Sequence, residues 1–135
     1  MKAFNKLVLI LVAATSGNQL ASAADDSTFT LECKYKQTNT TGKKEKKEKG
    51  TIVYTFSLAY KQVFRWDRME WNSIAEITSS TLVLEAHRSA GEFREASINR
   101  ISGAYSSRST VLDSKISRTG ECTKVKLRVP PAPKF

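Results

Sequence analysis

Two cysteines, one histidine and 13 carboxylates are the side chains with which this 135-residue sequence could do chemistry. Catalysis needs a nucleophile, a base or a metal within mutual reach. His87 follows Leu84-Glu85-Ala86 and sits beside Arg88, with no nucleophile nearby in sequence, and reads as a solvated surface residue. Glu92 and Glu95 have the side chains of a glycosidase carboxylate pair, yet solvated charge at a turn explains them as well. The nucleophile elbow, the zincin helix, the phosphate loop and the dinucleotide glycine fingerprint are all missing. One histidine with two distant cysteines makes no zinc set. The expectation is a non-enzyme with no catalytic residue, no metal and no cofactor.

The cysteines have a different reading, and it rests on the first 23 residues. Lys2 and Lys6 form a charged start, Leu7–Ala14 supply a short apolar run, and Ala21-Ser22-Ala23 is a small-x-small cleavage site. Those are the regions of a secretory signal peptide. The run is too short to cross a hydrocarbon core of about 30 Å, which takes about 20 apolar residues. Export with cleavage after Ala23 follows, so the mature protein is expected in the periplasm or outside the cell. In that oxidising setting Cys33 and Cys122 are expected to form a disulfide tying the first strand to the last. No later segment is apolar enough to span a membrane as a helix.

Charge and aromatic groups suggest binding. The chain carries 22 Lys+Arg against 13 Asp+Glu, and the leader holds only two of those lysines. For an exported domain the polyanions within reach are envelope polymers, lipid headgroups and acidic proteins, with no specific nucleic acid expected. Residues 37–50, QTNTTGKKEKKEKG, contain no apolar side chain. They read as an exposed loop or long hairpin tip offering Lys43, Lys44, Lys46, Lys47 and Lys49 to an anion. Trp66 and Trp71, near Phe64, could form an aromatic platform for a flat ligand, or pack as core and rim.

The elements that must position these groups read as strands. Phe29, Leu31, Cys33 and Tyr35 alternate with polar residues, and Ile52, Tyr54, Phe56 and Leu58 do the same. That period of two marks half-buried strands. Residues 63–77 fit either short strands or a helical turn. Ser117–Glu121 reads as a turn around Gly120, and Cys122–Val129 as a last strand with Val125, Leu127 and Val129 inward. The tail, residues 130–135, cannot continue a sheet because its three prolines lack donors. The result is one all-β domain over residues 24–129, an antiparallel meander of about seven or eight short strands. A small barrel or curled sheet is expected, because closure removes free edges.

Leu31-Glu32-Cys33, the Trp66–Trp71 middle, Ile98-Asn99-Arg100-Ile101-Ser102-Gly103-Ala104-Tyr105 and Gly120-Glu121-Cys122 together resemble a known pattern. It is that of small, exported, uncharacterised proteobacterial β proteins. The resemblance implies export and an antiparallel sheet or barrel, with no assigned activity. Arg100 and Gly103 have a structural role available: the glycine takes a positive φ in a hairpin turn and the arginine caps nearby carbonyls or pairs with a carboxylate. Ser102-Gly103-Ala104-Tyr105 is also similar, one residue short, to the Ser-Gly-x-x-Tyr signature of periplasmic inhibitors of C-type lysozyme. The Trp-x-Lys-Gly part of that signature is absent, and a basic chain is repelled by basic lysozymes. The leading expectation is therefore a non-enzymatic binder of an anionic envelope component or acidic partner. A secreted enzyme inhibitor and a small-ligand carrier using the barrel interior are the alternatives.

Overall fold

The computed structural model describes residues 27–132; the expected signal peptide lies outside the described residues. Nine strands form one antiparallel sheet: β1 (Thr28–Thr41), β2 (Lys44–Ser57), β3 (Gln62–Arg65), β4 (Glu70–Ser73), β5 (Glu76–Ile77), β6 (Thr81–Ser89), β7 (Glu92–Asn99), β8 (Ala104–Val111) and β9 (Ser114–Val125). Their spatial order is β4-β3-β2-β1-β9-β8-β7-β6-β5. The sheet curls into a half-barrel. Every chain neighbour pairs with the next except β4 and β5, and the first strand pairs with the last. The two ends of the domain therefore meet in mid-sheet, and the gap falls in the middle of the chain.

Cys33 and Cys122 stand directly opposite one another in the β1–β9 ladder, with Cα atoms 3.9 Å apart, and are disulfide-bonded. The bond thus staples two central strands. Such a bond marks a non-cytoplasmic setting. No helix among the described residues is long and apolar enough to cross a membrane.

At one end the gap is pinched. Ile74 donates its backbone N–H to Lys61 and Ala75 donates to Val83, so consecutive residues bond opposite edges of the sheet. Ile74 is buried in the core between them. Toward the other end, residues 44–52 of β2 and 84–89 of β6 have a strand neighbour on one side only, among the described residues.

The concave face holds the core. Cys33, Ile52, Tyr54, Phe56, Val63, Leu82, Ile98 and Tyr105 are buried there, as their period-two spacing demands. Gly120 lies inside β9, opposite Tyr35 and Tyr105, and not at a turn. A methyl group there would collide with the Lys34 carbonyl and Tyr35 Cα, so the residue serves close strand approach. The last strand ends at Val125, four residues before the alternation suggested. Leu127 and Val129 are exposed, and Val125 pairs with Thr30 on the convex face.

Two alternatives that the sequence leaves open are decided. Residues 37–50 are paired strands and not a loop: β1 and β2 run to Thr41 and Lys44 and turn through Gly42-Lys43. Gly42 has φ 60°, the glycine-first arrangement that two-residue hairpins favour. Residues 63–77 contain β3, β4 and β5 and no helix.

Candidate anion-binding face

Alternation across the β1–β2 hairpin sorts the lysines before any partner does. Register places Lys44, Lys46 and Glu48 on the concave side with Gln37 and Asn39, while Glu45, Lys47 and Lys49 share the convex side with Lys34, Lys36 and Thr38. Lys43 sits in the turn. The run is therefore not one patch. Lys46 pairs with Glu48 at 2.9 Å and Lys47 contacts Glu45 at 3.8 Å, both exposed.

What the linear sequence did not reveal is Lys36 lying directly opposite Lys49. Like charges in register repel, and the cross-strand neighbour of Lys36 on its other side is the uncharged Thr119. Lys34, Lys36 and Lys49 make no ion pair among the described residues. Together with Thr51, Thr119 and Gly120 they line a groove of about 790 Å³, which Glu32 and Glu121 also line, Glu121 directly opposite Lys34. A second groove of about 430 Å³ shares Lys36, Lys49 and Thr119 and adds Lys47 and Ser117. Tyr35, Gly50 and Gly120, which lie in one cross-strand register, also line the first groove. Short hydroxyl side chains flank the ammonium groups, and both donate to anionic oxygens.

The proposed aromatic platform is already occupied by the chain itself. Thr30, Thr55, Phe64 and Trp71 form one rung across β1, β2, β3 and β4 on the convex face. Phe64 is 1% exposed there and meets Trp66 and Trp71 edge-on, at centroid distances of 4.9 and 5.3 Å. Residues after β9 fold back over this rung. The Arg128 guanidinium lies 3.9 Å from the Trp66 ring, and the Trp71 indole donates to the Pro131 carbonyl at 3.3 Å. Beneath them the Arg128 N–H donates to the Thr30 hydroxyl, and the Thr55 hydroxyl donates to the Arg128 carbonyl. Thr55 Oγ1 also accepts from the Trp66 indole, which leaves Thr30 as donor in the 2.8 Å Thr30–Thr55 bond.

The remaining candidates take structural positions. Gly103 has φ 80° in the β7–β8 turn, and Arg100 donates to the Thr78 carbonyl at 2.7 Å. Asn99 Oδ1 accepts from the N–H groups of Ile101 and Ser102 in the same turn. Tyr105, the tyrosine after Ser102-Gly103, is buried, with its hydroxyl 3.4 Å from that of Tyr54. His87 is exposed opposite Arg94. Glu92 bonds Arg94, whereas Glu95 contacts Arg108; three positions apart in one strand, the two carboxylates face opposite sides.

Fold and surface together define a disulfide-stapled β half-barrel with a lysine-rich groove on its convex face. No protein-family model matches the chain, and no curated protein matches its sequence.

Proposed function

We propose that this is an exported, non-catalytic binding domain that holds an anionic envelope polymer or headgroup layer against its convex face. The observation that carries the reading is Lys36 in register with Lys49, neither of them in an ion pair among the described residues. Placing two ammonium groups opposite each other costs stability, and a bound anion converts that cost into attraction. The signal-like leader and the disulfide support an oxidising, extracytoplasmic place of work.

The test is co-sedimentation of the mature, oxidised protein with purified envelope and with anionic vesicles. Binding should fall steeply as salt is raised toward 1 M, where the Debye length shrinks to about 3 Å. The Lys36→Glu/Lys49→Glu double variant should weaken binding at least tenfold at unchanged melting temperature. Lys44→Glu/Lys46→Glu, on the concave side, should do much less. Pelleting that ignores salt and both variants would sink the proposal.

A further inference from the structure

The half-barrel has a second unexplained feature, at the end where β1 begins and β9 finishes. A cleft of about 530 Å³ opens there on the concave face. Phe29, Leu31, Leu82 and Ile98 line it, with Cys122 at its wall. Leu82 and Ile98 are fully buried at its base, while Phe29 and Leu31 are only half-buried above them. The β7–β8 turn forms the rim and leaves Ile101 83% exposed beside it. This volume falls in the range of small-ligand sites, about 300–1,000 Å³, which favour the mouths of β-barrels.

The rim carries charge of one sign. Lys124 stands opposite Leu31 in the β1–β9 register, its ammonium 5.9 Å from the centre of the Phe29 ring. Arg100 lines the same cleft and spends one N–H on the Thr78 carbonyl, leaving other donors of its five. Neither cation has a carboxylate partner among the described residues, and no acidic residue lines the cleft. Apolar walls ending in two uncompensated cations match a molecule with a hydrocarbon chain and an anionic head.

We infer that this mouth binds a single-chain anionic amphiphile, its chain against Phe29, Leu31, Leu82 and Ile98 and its head at Lys124 and Arg100. The site is separate from the convex lysine groove and does not depend on the function proposed for that face. Dispersion and desolvation along the chain supply affinity, and the rim cations set polarity.

Calorimetric titration of the mature, oxidised protein with octanoate, decanoate and dodecanoate, each below its micelle concentration, tests this. One saturable site is expected, with affinity rising about fourfold per methylene until the cleft is full. Dodecanol and dodecyltrimethylammonium should bind at least tenfold more weakly than dodecanoate. Lys124→Gln, an exposed change that leaves the core intact, should remove most of the preference for the carboxylate over the alcohol. Lys36→Glu/Lys49→Glu should leave dodecanoate binding unaltered. No saturable binding, a flat chain-length series, or a Lys124→Gln variant with undiminished preference would overturn the inference. So would a dimer in sedimentation equilibrium that dodecanoate fails to dissociate, because a second copy would then be covering the cleft.

Discussion

Gly50 and Gly120 both lie against Tyr35, yet a side chain at each would meet a different kind of obstacle. At Gly120 a methyl would strike the Lys34 carbonyl and the Tyr35 Cα, main-chain atoms that move only with the whole strand. At Gly50 it would strike the far end of the Tyr35 ring, which packs 6.3 Å from Tyr105 and under the Arg118 guanidinium. Gly120→Ala should therefore cost about 3 kcal/mol and Gly50→Ala about 1 kcal/mol, measured by urea denaturation. Equal losses would mean that the β1–β9 approach is not the constraint. Tyr54 carries the main pH dependence at this scale. Burial, then the neighbouring Tyr105, pushes its phenol well above the usual range. The unfolded phenol ionises near about pH 10. Its stabilising contribution is thus complete below that pH and declines as pH rises through it, because only the unfolded chain can release the proton readily. Urea midpoints taken between about pH 8 and pH 11 should fall with pH, and Tyr54→Phe should flatten that part of the slope.

Among the elements, the segment after β9 does more than its proline content suggests. Residues 126–132 cover the convex rung of Thr30, Thr55, Phe64 and Trp71 and satisfy two buried hydroxyls through the Arg128 main chain. Among the described residues, a chain ending at Val129 loses the Trp71–Pro131 bond, which is exposed and worth about 1 kcal/mol or less. A chain ending at Val125 also uncovers Trp66 and takes both main-chain partners from Thr30 and Thr55. Its loss should reach about 2–4 kcal/mol, with a red-shifted tryptophan emission that the shorter truncation lacks. Identical stabilities for the two truncations would show that the Arg128 clamp holds nothing. The β1–β2 hairpin has the opposite character. Residues 44–52 border solvent on one side, and lysines with interleaved glutamates occupy that edge. If two copies met antiparallel about the centre of KEKKEK, lysine would face lysine and glutamate would face glutamate. Charge of this kind keeps an open edge from recruiting another sheet, so the hairpin can stay extended without aggregating while its convex side stays available.

In the whole molecule, the disulfide and the gap divide the labour of holding a half-barrel in shape. Cys33–Cys122 closes a loop of 89 residues of separation, which the chain-entropy treatment values at no more than about 4–5 kcal/mol. The bond joins strands that already share a ladder from Thr30–Val125 to Thr41–Ser114. Its removal should therefore loosen the unfolded state more than the folded one. Cys33→Ala/Cys122→Ala is expected to lose up to about 4 kcal/mol in urea while keeping its β-type circular dichroism under native conditions. Loss of the sheet signal without denaturant would show that the ladder cannot stand alone. The far side has no such staple. There Ile74 and Ala75 reach the two edges with one backbone bond each, and beyond them the concave face stays open.

Alternation in Phe29–Tyr35 and Ile52–Leu58 made the all-β class legible in the sequence, and the signal-like N-terminal pattern with two cysteines led to the disulfide. Each of these is local, or follows from compartment. The tertiary structure alone decided that Gly120 belongs inside a strand, since its reason is a main chain 86 residues earlier in sequence at Lys34. It also decided that Trp66 and Trp71 pack under the returning chain and that Lys36 faces Lys49. A period of two tells which residues share a face of one strand. It says nothing about which strand lies alongside, or at what register, and those are the facts that turn scattered lysines and apolar side chains into a charged groove and an open mouth.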